Sequence, residues 1–171
     1  MSYHFLDWKY LNEEQIGLLE SSLEEIKIKE LLKEYFNINY ADEKKNVIAT
    51  DYHFYNYAFC KERAFDARRT STFMAIMYEI FHRDSLTTGL VKSRQSSYKF
   101  FEELVLKHSV ELPPESIQVF RDVDVNAIMD YAVESYYKQF NLFSYIFSIQ
   151  ERVITVEKPL PSVNSKKYPL F

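Results

Sequence analysis

Residues 67–83 read ARRTSTFMAIMYEIFHR, and their spacing decides the fold. Phe73, Ile76, Met77, Ile80 and Phe81 recur three and four residues apart, the repeat of one apolar face on an α-helix. Asp66 stands just before the run as a candidate N-cap, its carboxylate placed to accept a first-turn amide. Arg68, Arg69 and Arg83 around large apolar anchors also resemble a basic helix that a calmodulin groove would accept. The acidic Asp66, Glu79 and Asp84 in the same stretch favour an ordinary core helix.

Helical signals continue on both sides. In 13–36, EEQIGLLESSLEEIKIKELLKEYF, the seam Ile16, Leu19, Leu23, Ile26, Leu31 and Tyr35 predicts one amphipathic helix, with acids in its first turn and Lys33 near its last. Three heptads are too few for a free-standing coiled coil, so the seam is expected to pack within the chain. Residues 47–62 carry Ile48, Tyr52, Tyr55 and Phe59 at helical spacing. Beyond a loop containing Gly89, Ser93 or Ser96 opens a fourth helix reaching His108, with Phe100, Phe101, Leu104 and Val105 inward. Pro113-Pro114 lacks amide donors, and so is expected to stop that helix and make a rigid corner. Asp124 is expected to cap a long final helix over 125–147, VNAIMDYAVESYYKQFNLFSYIF, which is almost too aromatic to have a solvent face.

The expected fold is all-α: a single compact bundle of about five to six helices with a Pro-Pro corner before the last long helix. Residues 1–45 form an N-terminal helix and linker, 46–150 the helical core, and 151–171 an extended, proline-punctuated tail. Phe73, Ile76, Met77, Ile80, Leu104 and Ile128 are the expected core.

Composition narrows function. The 171 residues hold 21 Lys+Arg and 25 Asp+Glu, a net charge of −4, with 47% hydrophobic residues. That suits a folded domain and leaves no basic footprint for nucleic acid. There are 2 glycines, against roughly 12 at ordinary usage. With only Gly17 and Gly89, no glycine-rich phosphate loop, dinucleotide fingerprint or nucleophile elbow can be written. The lone Cys60 forms no internal disulfide and suits a reducing compartment. No apolar run approaches membrane-spanning length and the first residues lack a signal-peptide pattern, so no membrane segment is expected.

Catalytic and metal constellations fail one by one. His53 and Cys60 lie two helical turns apart, about 10 Å at 1.5 Å per residue, too far for direct proton transfer. They are expected to be a half-exposed imidazole and a buried thiol. His4, His53, His82 and His108 show no zinc spacing. His108, at a helix end, is expected to be partly protonated by the dipole. Asp122-Val-Asp124-Val-Asn126 begins like a calcium loop, but Ala127 and Val133 replace its glycine and bidentate glutamate. No enzyme activity, metal or cofactor is expected.

Two stretches resemble a known family, the small subunit of the projection on the first central microtubule of motile cilia and flagella. They are FFEELVLKHSVELPPESIQVF, with Phe101, Leu104, His108-Ser109-Val110, Pro113-Pro114, Ser116 and Phe120, and DYAVESYYKQFNLFSYIFS, with Asp130-Tyr131, Tyr136-Tyr137, Leu142, Tyr145 and Phe147. With AFCKERAF upstream, the similarity spans roughly residues 50–150. The chain departs from the family pattern at Leu112, Glu115 and Gln139-Phe140. The resemblance implies a nonenzymatic structural protein of the axoneme, in cytoplasm and cilium, hetero-oligomeric with other axonemal proteins in a calmodulin-containing complex. Doublet-microtubule or radial-spoke membership is the alternative location, and a Cys60 hydrolase the alternative class.

The many tyrosines agree with a docking role, because a ring that is apolar at one end and wet at the other suits interfaces. Pro113, Pro114, Tyr136, Tyr137, Phe140 and Tyr145 are the candidate partner-docking residues. Tyr137 and Tyr145 are expected to lie off the core-facing side of the last helix.

Overall fold

The computed structural model describes residues 5–86 and 93–147. Its helices are α1 (Glu13–Ser21), α2 (Glu25–Tyr35), α3 (Glu43–Glu62), α4 (Ala67–Leu86), α5 (Arg94–Lys107), α6 (Asp122–Ala132) and α7 (Phe140–Phe147), with a π-helical turn, Val133–Tyr137, between the last two. The protein is all-α: no strand occurs among the described residues, only an isolated antiparallel bridge between Leu112 and Ser116. The expected tail at 151–171 lies outside the described residues.

The decisive segment is the axis of the bundle. α1, α3, α5 and α7 all pack against α4, and every residue from Thr70 through Met77 is buried. Its apolar face, Phe73, Ile76, Met77, Ile80 and Phe81, lies in the core as its spacing predicts. The opposite side is buried too, because its hydroxyls are satisfied. Ser71 Oγ donates to the Leu11 carbonyl at 2.6 Å and accepts the Trp8 amide at 3.1 Å, while Thr72 Oγ1 donates to the Arg68 carbonyl. Short hydroxyls let a neighbouring backbone come close without orphaning a polar group. Asp66 accepts the Arg69 amide at 2.8 Å, the bond expected of an N-cap.

Residues 13–36 form two helices instead of one. The hydroxyls of Ser21 and Ser22 both donate to the Leu18 carbonyl, and Ser22 turns to extended geometry (φ −83, ψ 123). Side-chain bonds of this kind compete with helix continuation. The break swings Leu23 and Ile26 out to 97% and 73% exposure, so the expected seam holds only for Ile16, Leu19 and the partly buried Leu31 and Tyr35. Leu6, Leu11, Ile16, Leu19 and Leu32 join the same core cluster as α4, so this part of the chain packs on its own bundle.

Elsewhere the faces are mostly as expected. In α3, Tyr52 and Phe59 are buried but Tyr55 is exposed, and the inward line runs instead through Asn46, Thr50, His53 and Tyr57. Ser93 caps α5 by accepting the Ser96 amide; Phe101 and Val105 are buried, Phe100 and Leu104 only partly so. Phe100 is held at the surface by the Arg83 guanidinium, 4.1 Å from its ring centre. α5 stops at Lys107, before the prolines.

The last helix is broken in three. Lys138 N–H bonds to the Val133 carbonyl at 3.0 Å, an i to i+5 closure that inserts one extra residue into the turn. α6 begins at Asp122, two residues ahead of the expected cap. Asp124 Oδ2 accepts the amide of Arg121 from inside the first turn.

Candidate docking surface

The packing around the π turn decides which aromatic residues can meet a partner. Tyr136 and Tyr137 are both buried, at 2% and 1% exposure, but against different neighbours: Tyr136 meets Tyr52 of α3 and Phe143 of α7, and Tyr137 meets Tyr98 and Phe101 of α5. Phe140 is also buried, and its ring lies 6.1 and 6.2 Å from those of Tyr136 and Tyr137. Tyr136 OH donates to Asp84 Oδ2 at 2.7 Å, and Ser97 Oγ donates to the same oxygen at 2.6 Å and lies 3.2 Å from Tyr137 OH. Burial raises the phenol pKa of both tyrosines, so both stay protonated. The expectation that Tyr137 lies off the core side fails for this reason. Tyr145 does lie off it, at 70% exposure, with Leu142 at 55% beside it on α7.

Pro113 and Pro114 are exposed in the loop between α5 and α6, and the peptide joining them is cis. Their turn is closed by Leu112 N–H to Ser116 O at 3.2 Å and Ser116 N–H to Leu112 O at 3.0 Å. Its return strand of chain is clamped to the end of α5: Val119 and Phe120 N–H donate to the His108 carbonyl, and Ile117 N–H to Lys107 O. Leu106, Val110 and Leu112, which lead into the prolines, are exposed apolar residues. Thus Pro113, Pro114 and Tyr145 are accessible, whereas Tyr136, Tyr137 and Phe140 form an interior cluster.

His108 is a structural pin, contrary to the expectation of partial protonation. Its ring is fully buried, accepts the Leu6 amide at Nε2 (3.0 Å) and lies 2.7 Å from the Leu104 carbonyl through Nδ1. This pattern requires the neutral Nδ1–H tautomer. Burial lowers its pKa below the ordinary 6.5, outweighing the Leu104 bond. His53 is likewise buried, not half-exposed, stacked at 4.3 Å on Phe36, and burial pushes its pKa down to about 3. A depressed histidine stabilises the fold above the unfolded value of 6.5 and loses that contribution as pH falls towards the folded value. We therefore expect the thermal midpoint to drop between neutral and mildly acid pH, and His108→Gln to flatten that dependence. Equal pH slopes for wild type and variant would assign no part of the loss to His108.

The other sequence leads resolve into structural roles. Cys60 is fully buried and burial pushes its thiol pKa up, opposite to an activated nucleophile. Asp124 is 2% exposed and accepts bonds from Arg121 Nε at 3.1 Å and Arg69 Nη1 at 3.2 Å. Burial alone would raise its pKa, but these guanidinium bonds outweigh it and hold the carboxyl below its ordinary value. The incipient calcium loop is filled by arginine, and no cluster of three metal-ligating side chains occurs among the described residues. No helix there is long and apolar enough to cross a membrane.

One surface went unread in the sequence: a cavity between the chain linking α2 to α3 and the end of α7, lined by Lys44, Lys45, His53 and Tyr145 among others. Its polar stretch, NINYADEKKN, reads as a linker. Only the exposed Tyr145 signals it.

These features define a helical bundle with an aromatic interior and many exposed apolar positions, two of them flanking the exposed prolines. A family model described as CLAMP, flagellar C1a complex subunit C1a-32, matches residues 55–155, more than half of the chain. The chain belongs to this family. The match spans α4, the Pro113-Pro114 loop, the π turn and α7.

Proposed function

We propose that this chain is a structural subunit of the C1a projection of the central apparatus in the axoneme, acting by protein–protein docking. The match of residues 55–155 to the C1a-32 family carries the reading. Pro113, Pro114 and the outer face of α7 around Tyr145 make the docking surface. A surface-exposed tyrosine on a short helix and prolines on a clamped loop are anchors that need little ordering on binding. Partners are other axonemal proteins, within a calmodulin-containing hetero-oligomeric assembly. A sealed Cys60 with a raised pKa gives a hydrolase no accessible thiolate.

Axonemes that lack the central pair separate this reading from a doublet-microtubule or radial-spoke location. The chain is expected to be absent from them, and retention at wild-type level overturns the central-pair location. Within intact axonemes, Tyr145→Ala is expected to leave stability within about 0.5 kcal/mol, as for most surface substitutions. It should weaken assembly by ~1–2 kcal/mol or more, measured as release at lower salt. Unchanged release with normal circular dichroism would remove Tyr145 from the docking surface.

A further inference from the structure

The half-open cavity beside α7 has a volume of about 980 Å³, at the upper end of ordinary ligand pockets. Its lining is apolar and aromatic: Phe36, Phe81 and Phe147 line it but are themselves buried, while Tyr40, Tyr78 and Ile146 line it partly exposed. His53 lines it as well, and its Nδ1 has no hydrogen-bond partner among the described residues.

The rim carries the sign of the missing partner. Lys44 and Lys45 both line the mouth and make no ion pair among the described residues. Asp42 also lines the cavity and accepts the Lys44 amide at 2.9 Å as the cap of α3, which leaves an excess of one positive charge; Glu43 meets Asn46 Nδ2 at 3.1 Å and Lys33 Nζ at 3.9 Å. The positive end of the long helix α3 opens at the same place. Tyr145 lines the same cavity from α7.

We propose that this cavity receives an acidic segment of a neighbouring axonemal protein, with an aromatic side chain against Tyr40, Tyr78 and Ile146 and carboxylates on Lys44 and Lys45. This deepens the docking reading above and rests on it. An aromatic anchor fits because flat rings gain most against other rings. The flanking acids fit because two unpaired ammonium groups and a helix N-terminus favour negative charge.

The test uses the full chain in motile cells. Lys44→Glu with Lys45→Glu is expected to cut incorporation into axonemes at least tenfold, with circular dichroism unchanged, while Lys44→Arg with Lys45→Arg incorporates normally. A benzophenone-bearing side chain at Asn39, on the cavity wall, is expected to crosslink in purified axonemes to a segment that is net acidic and holds an aromatic residue. The same probe at the exposed Glu62 serves as control. Wild-type incorporation of the double glutamate variant overturns the proposal. So does an Asn39 crosslink to a basic segment, to a second copy or to this chain itself, or no crosslink in axonemes that contain the probe-bearing protein. If the wild-type chain itself is missing from the central apparatus, the reading of function fails instead.

Discussion

Tyr136→Ala is expected to cost about 3–5 kcal/mol of unfolding free energy, the range for deleting a large buried ring. The ring meets Tyr137 at 5.1 Å, Phe143 at 5.4 Å and Tyr52 at 5.7 Å, so its removal leaves a void between α3 and the π turn. It also takes one of two hydroxyl donors from Asp84 Oδ2. Tyr136→Phe separates the two effects: it keeps the packing and drops only the hydroxyl, for a loss of about 1–3 kcal/mol from one hydrogen bond to a carboxylate that keeps the Ser97 hydroxyl. Because a domain of this size has about 5–15 kcal/mol in total, the alanine variant stands near the limit of folding. Urea unfolding read by circular dichroism checks both, and a loss under about 1 kcal/mol for Tyr136→Ala would contradict the burial described here.

The second large effect is expected at the start of α6. Asp124→Ala strips Arg121 and Arg69 of a carboxylate they share and removes the acceptor for the Arg121 amide. Breaking a fully buried pair costs about 3–5 kcal/mol when the remaining charge stays buried. Here Arg69 keeps Asp66 at 2.9 Å and Arg121 is largely exposed, so screening and the surviving pair reduce the loss to about 2–3 kcal/mol. The sign with pH follows from the depressed carboxyl. Its stabilisation is present above the ordinary value of 3.8 and is lost as pH falls through the lower folded value. Unfolding free energies of wild type and variant should therefore differ at neutral pH and converge in strong acid. A gap that persists well below 3.8 would mean that Asp124 acts by packing and not by charge.

How far the sequence could be read depended on what each element rests on. α4 was legible because its seam is satisfied by one face, and Asp66 and Ser93 because caps are local. The all-α class followed from the same periodicity and from the scarcity of glycine. The break at Ser22 was hidden because Leu23 and Ile26 continue the α1 spacing. Only two serine hydroxyls on one carbonyl end that helix, and serine is common inside helices as well. Tyr55 was misplaced because the true inward line of α3 carries Asn46, Thr50 and His53, polar residues that periodicity counts as solvent-facing.

The docking residues suffered from a different ambiguity. A ring on a helix reads alike whether it faces the core or a partner, and at 100° per residue Tyr136 and Tyr137 should point apart. They do diverge, and both directions are covered, Tyr136 by α3 and α7 and Tyr137 by α5, which no residue type in Val133–Tyr137 announces. Tyr145 was correctly separated from Tyr136 because α7 resumes ordinary geometry. Pro113 and Pro114 were placed on a loop by covalent chemistry alone. The Lys44–Lys45 cavity was illegible, since its walls come from segments about a hundred positions apart.

The extra residue in the π turn also has an evolutionary consequence. One i to i+5 closure spends an extra residue on the turn, so the phase between α6 and α7 depends on the number of residues in Val133–Tyr137. Removing one of them with the rest of the turn unchanged would rotate α7 by about 100° relative to α6. Phe140 and Phe147 would rotate off the core while Leu142 and Tyr145 changed direction. A gain or loss of a single codon in this turn is thus far harsher than most substitutions around it. Within the lineage the length of this turn should be guarded more strictly than the identity of its side chains.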